Sequence, residues 1–159
     1  MKTIALFGGS FDPPHIAHEL IVKEALKIND VEKVVIMPTF LNPFKTTSFA
    51  PALLRLKWLK SIFHSYKNVE ISNFEIEKEE KIPTIITVEH LLNEYSKIYL
   101  IIGADNLKNL DKWYRYEDLK KLVTFVIASR NNIDVAKSFI QLDIPEEISS
   151  TKLRNTMDG

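Results

Sequence analysis

Apolar residues in this chain gather into short unbroken runs, separated by longer stretches in which they recur every three or four positions. The runs at residues 3–7, 33–37, 98–102 and 122–128 are rich in Ile, Val and Leu and end at Gly, Pro or polar residues, the pattern of strands buried on both faces. Val69-Glu70-Ile71-Ser72-Asn73 alternates instead and predicts a strand nearer a sheet edge, and residues 139–142 predict a further short strand. Between the runs, residues 16–28 read as an amphipathic helix. Pro51 opens another, whose Leu53, Leu54, Leu56, Trp58, Leu59, Ile62 and Phe63 form a broad apolar face with Trp58 in the core. Behind Pro83 a third helix is expected from Thr84, carrying Ile85, Ile86, Val88, Leu91, Leu92 and Tyr95, with His90 as an ordinary partly buried side chain. Leu107, Leu110 and Trp113-Tyr114 mark a short helical segment, while the acid-rich residues 75–81 read as a solvated turn. Strand and helix alternate throughout, without repeats or an internal linker, which predicts an α/β domain with a mostly parallel sheet and helices on both faces.

The bulk properties narrow what such a domain does. With 159 residues and 45% hydrophobic content the chain suits one domain, residues 1–159, around one core. Lys+Arg and Asp+Glu both number 21, so the net charge is zero and neither a nucleic-acid groove nor a membrane-seeking surface is indicated. Any affinity for phosphate must be local. The absence of cysteine excludes thiol catalysis and cysteine-based zinc sites. The apolar run before Gly8 is too short for a signal peptide and no run approaches ~20 apolar residues, so a cytoplasmic location is expected.

Candidate chemistry concentrates where the first strand meets the first helix, in Phe7-Gly8-Gly9-Ser10-Phe11-Asp12-Pro13-Pro14-His15-Ile16-Ala17-His18. Gly8 and Gly9 allow a ligand close to the backbone, and Pro13 and Pro14 suit the first turn of a helix, whose unpaired N–H groups attract anions. His15 and His18 are about 300° of helical rotation apart and can face one space. They suit chemistry on a nucleotide, although a solvated face or a pair of zinc ligands would also place two histidines there. Farther on, the strand at residues 98–102 ends in Gly103-Ala104-Asp105, the end at which α/β sheets collect ligand contacts; Asp105 suits either a helix cap or a ribose. Lys45, in Pro43-Phe44-Lys45, is a loop lysine that solvent alone would explain. Near the C-terminus Ser149, Ser150 and Thr151 precede Arg154, and this run of hydroxyls with an arginine makes a second phosphate cradle.

Taken whole, these strings carry a resemblance. Residues 9–18 resemble the nucleotidyltransferase signature G-x-F-D-P-x-H-x-G-H, with Ala17 in place of the last Gly, and residues 148–154 are similar to I-S-S-T-x-[IL]-R of the adenylyltransferases. Residues 101–107 with Leu110-Asp111-Lys112-Trp113-Tyr114 resemble the bacterial nicotinate mononucleotide adenylyltransferases. A phosphate-contacting P-H-K loop appears with Phe44 for His, and S-Y-T-x-x-T appears as Ile82-Pro83-Thr84-Ile85-Ile86-Thr87. The family usually continues past the last signature, so the chain reads as a short or truncated form.

The resemblance implies a doubly wound, Rossmann-like nucleotidyltransferase fold and transfer of AMP from ATP to nicotinate mononucleotide, with Mg2+ accompanying ATP. ATP would lie against Gly8, Gly9, Ser10, Phe11, Gly103, Asp105, Ser149, Ser150 and Thr151. His15, His18, Lys45 and Arg154 would hold its phosphates, and Asp105 its ribose. The mononucleotide would meet Thr84, Thr87, Trp113 and Tyr114, Trp113 stacking on the pyridine ring and the backbone N–H groups of Thr84 and Tyr114 facing its carboxylate. Pantetheine-phosphate adenylyltransferase shares both terminal signatures and is the rival enzyme; a noncatalytic nucleotide sensor is the rival of another class. The sequence leaves the oligomeric state open.

Overall fold

The computed structural model describes residues 2–11, 14, 16–40, 51–130 and 140–144. Along the chain run β1 (Lys2–Gly9), α1 (Ile16–Ala25), β2 (Lys33–Pro38), α2 (Ala52–Phe63), β3 (Val69–Ile71), α3 (Phe74–Glu77), α4 (Thr84–Leu91), β4 (Tyr95–Gly103), a 3-10 helix (Ala104–Lys112), α5 (Tyr116–Leu122), β5 (Thr124–Arg130) and β6 (Ile140–Ile144). The strands form one sheet in the order β3-β2-β1-β4-β5-β6, and every neighbouring pair is parallel. The expected doubly wound α/β fold is therefore present.

Strand alternation divides the core in two. Ile4, Leu6, Val35, Met37, Ile98, Leu100, Phe125 and Ile127 face one side, where they pack with Ile85 and Val88 of α4, Leu110 of the 3-10 helix and Leu119 of α5. Ala5, Phe7, Val34, Ile36, Tyr99, Ile101 and Val126 face the other, against Val22 and Ala25 of α1 and Leu59 and Phe63 of α2. After β1 the chain winds outward through β2 to β3, then returns to place β4 on the other flank of β1. The sheet reverses its winding between β1 and β4, and their carboxyl ends open a crevice there.

The structure corrects several expectations. The segment expected as a solvated turn overlaps α3, with Glu75 and Ile76 buried: Ile76 joins the apolar interior, and the helical turn carries the carboxyl of Glu75 in with it. Tyr95 begins β4 rather than extending α4, and His90 is exposed, its ring stacked at 3.9 Å on Phe74. Leu53 is 72% exposed and Trp58 only partly buried, because the buried stripe of α2 runs through Arg55, Leu56, Leu59 and Phe63. The run at 122–128 is divided: Leu122 ends α5, and β5 starts at Thr124.

Candidate active site

Gly8 and Gly9 close β1 in the register of Met37 and Pro38 of β2, and the Thr39 N–H donates to Gly9 O at 3.0 Å. Because consecutive strand residues face opposite ways, the two glycines serve different sides of the sheet. Gly8 shares the parity of Ile4 and Leu6; among the described residues a Cβ built on it would meet only Met37 O, at 3.8 Å. On the opposite side, a Cβ on Gly9 would come to 3.4 Å from the Phe11 ring. Phe11 adopts φ 51, a left-handed conformation that costs a non-glycine residue roughly 1–2 kcal/mol. That turn folds its ring back over Gly9 and edge-on to Phe7 and His18, with centroids 5.2 and 4.9 Å away. His18, in the first turn of α1, is thereby seated between two phenyl rings, its ring centroid 5.8 Å from that of Phe7.

Arg55 fastens this turn to the next one. Fully buried in α2, it donates through Nη1 to Ser10 O and Thr39 O, both at 2.7 Å, and through Nη2 to Phe40 O at 2.9 Å. One guanidinium thus joins the segments that follow β1 and β2, a task suited to a rigid donor fork. The sequence carries a faint sign of it, a charge four residues before Leu59 on the buried stripe, obscured by the flanking leucines.

On the Gly8 side the crevice deepens into a cavity of about 150 Å3, lined by backbone and side chains that include Gly8, Gly103, Glu75, Thr84, Thr87 and Trp113. That volume suits one six-membered aromatic ring. Thr84 opens α4 behind Pro83, placing a helix N-terminus at the wall. Trp113 follows the 3-10 helix and packs partly buried against the apolar core while also lining the cavity. Thr39 Oγ1, on the same wall, is buried with no hydrogen-bond partner among the described residues. Thr87 Oγ1 is taken up by Glu75, donating to Oε2 at 2.6 Å. Burial drives the Glu75 carboxyl up to about pKa 7, only partly offset by that hydrogen bond.

Of the residues singled out in the sequence, Gly8, Gly9, Gly103, Thr84, Thr87 and Trp113 meet at this cavity; Ser10, Phe11 and His18 form the adjoining turn. Tyr114 is 60% exposed. His15, Lys45, Ser149, Ser150, Thr151 and Arg154 lie outside the described residues, as does the side chain of Asp105. Among the described residues no three His, Cys, Asp or Glu side chains gather to hold a metal ion, and no helix is long and apolar enough to cross a membrane.

A glycine-bordered crevice at the winding reversal of an all-parallel 3-2-1-4-5-6 sheet defines a nucleotide-binding α/β protein, and the cytidylyltransferase-like family model matches residues 6–156. Its class is that of the nucleotidyltransferases. A Sulfurimonas denitrificans protein named "Probable nicotinate-nucleotide adenylyltransferase" is 55% identical over 157 residues, covering 99% of this chain and 86% of its own. One of the same name from Campylobacter fetus subsp. fetus is 50% identical, covering 98% and 87%. The chain belongs to the nicotinate-nucleotide adenylyltransferase family. The fold is also that of the Plasmodium falciparum nicotinic acid mononucleotide adenylyltransferase solved with NaAD, at TM-score 0.71 and 22% identity over 95% of this chain and 78% of that one.

Proposed function

We propose that this protein transfers AMP from ATP to nicotinate mononucleotide, giving deamido-NAD and pyrophosphate. The observation that carries this reading is the ring-sized cavity at the β1–β4 reversal, bordered by Gly8 and Gly103 and walled by Trp113 and the start of α4. A 5′-phosphate oxygen of the mononucleotide attacks the α-phosphorus of ATP in line; the bond to the bridging oxygen breaks and pyrophosphate leaves. No protein nucleophile is required. Catalysis then rests on holding two nucleotides in register, worth about 7–11 kcal/mol, and on donors aimed at the charge that develops on the transferring group.

In this reading the backbone N–H groups around Gly9–Phe11 cradle ATP phosphate, with His18 at the α-phosphate, and His15, Lys45, Arg154 and the hydroxyls at Ser149–Thr151 complete the enclosure. Asp105 binds the ATP ribose. Trp113 stacks on the pyridine ring, and the N–H groups of Thr84 and Tyr114 face its carboxylate. In this reading magnesium would accompany ATP, carried mainly on its phosphate oxygens and on water. Incubating the protein with Mg-ATP and nicotinate mononucleotide, its amide or phosphopantetheine, and measuring pyrophosphate and the dinucleotide formed, tests the reading. Pyrophosphate with phosphopantetheine alone, or with none of the three, overturns it.

A further inference from the structure

Glu75 is the one ionisable side chain among the described residues lining the cavity, and the transfer chemistry gives it no part. It is 6% exposed, and apart from the Thr87 hydroxyl no described group donates to its carboxyl. The charged side chains described around it are engaged or exposed elsewhere. On and beyond α3, Glu77 accepts from Asn73, Lys78 lies over the Phe74 ring and Glu79 is exposed. On α4, His90 stacks on Phe74 and Glu89 pairs with Arg115. Asp111 and Lys112 of the 3-10 helix are exposed, and β2 turns the apolar Val35 and Met37 to this side, its Lys33 being paired with Glu70.

A neutral carboxyl can accept from Thr87 and still donate its own O–H, whereas an ionised one only accepts. The acid and amide mononucleotides differ in the same kind of group. A pyridine carboxylate needs donors and is repelled by a second carboxylate in a confined site, while a pyridine carboxamide brings an N–H2 that needs an acceptor. We propose that Glu75 is a specificity-determining residue whose neutral form admits the acid mononucleotide and whose ionised form turns the cavity from acid toward amide. This rests on the nicotinate mononucleotide reading of the cavity.

Its test is the ratio of kcat/KM for nicotinate mononucleotide to that for the amide, followed from about pH 6 to about pH 8.5; kcat/KM reports the ionisation of the free enzyme. Both substrates carry the same 5′-phosphate and react with the same Mg-ATP, so those titrations cancel in the ratio. Since burial places the carboxyl at about 7, the neutral fraction falls by roughly 30-fold over that range. The wild-type ratio is expected to fall at least about 10-fold, and Glu75→Gln, which keeps a donor and an acceptor without ionising, to hold it within about 2-fold. Thr87→Val removes the group that favours the charged form, so its midpoint moves to higher pH; it decides the matter together with the wild-type profile if Glu75→Gln does not fold. A purely structural Glu75 would move neither midpoint nor slope. A pH-independent wild-type ratio, an unchanged slope in Glu75→Gln, or an unmoved midpoint in Thr87→Val overturns the proposal. Absence of pyrophosphate with either mononucleotide at every pH overturns the function reading instead.

Discussion

Replacing Gly8 by Ala separates folding from ligand binding at a single atom. Among the described residues a Cβ there meets nothing nearer than Met37 O at 3.8 Å, and Gly8 does not have a positive φ, so the described fold accepts the methyl without strain. Restricting the unfolded chain then stabilises the protein by about 0.4–1 kcal/mol. At roughly 2–4 °C per kcal/mol for a chain of this size, Tm rises by about 1–4 °C. The same methyl projects on the parity of Leu6 into the cavity wall, where filling space that a ligand needs costs about 1–3 kcal/mol. Binding or turnover should therefore weaken by about 5–150-fold while the protein becomes slightly more stable. Thermal melts and initial rates with varied ATP and varied mononucleotide measure both halves. Gly9→Ala is the contrasting control, since its Cβ comes to 3.4 Å from the Phe11 ring on the other side of the sheet. A fall in Tm for Gly8→Ala, or KM and kcat both within about 2-fold of the parent, would refute the assignment of this glycine to the ligand.

Three further outcomes are expected. His18→Ala should lower kcat by about 10²–10³-fold, the weight of one preorganised donor, with only a modest loss of Tm from its contacts to Phe7 and Phe11; initial rates within about 3-fold of the parent refute the role. Arg55→Lys cannot span three carbonyls, and losing one or two charge-assisted bonds of about 1.5–3 kcal/mol each should lower Tm by at least about 3 °C and raise KM for ATP, which melts and rate measurements check. Glu75 has its carboxyl raised from 4.5 to about 7, so the folded state favours the protonated form: that contribution is full below 4.5 and lost as pH rises through 7. Glu75→Gln should thus melt at the parental temperature near pH 4.5 but higher than the parent above pH 7, by a difference on the order of 3 kcal/mol at most, and equal melting at both pH values refutes the buried-carboxyl assignment.

The strands were legible because each is a run whose composition is set by burial on both faces, and the glycine turn because its residues are consecutive. What escaped is what depends on phase or on distant partners. The stripe of α2 looked leucine-centred, yet Leu53 and Leu54 are exposed and Arg55 is inside, since its donors answer carbonyls 15 to 45 residues away. Glu75 sat in an acidic stretch where solvation is the natural expectation, and only the packing of Ile76 and the reach of Thr87 turn it inward. Tyr95 continued a helical spacing and became the first residue of β4, where it pairs beside Lys2. A tryptophan that closes a short helical segment suits a core or a ligand platform alike, and the structure has Trp113 both packed on the core and lining the cavity.

The Arg55 contacts also orient dipoles. In a trans peptide the C=O and the following N–H point in opposite directions, so holding Ser10 O and Thr39 O against the guanidinium turns the N–H groups of Phe11 and Phe40 away from α2. A cation that never reaches the surface thereby presents the positive ends of peptides on the far side of the turns it holds. A chain with zero net charge can in this way offer a polyanion a local welcome without a basic surface, and the strength of that welcome is screened little by salt because its source is buried.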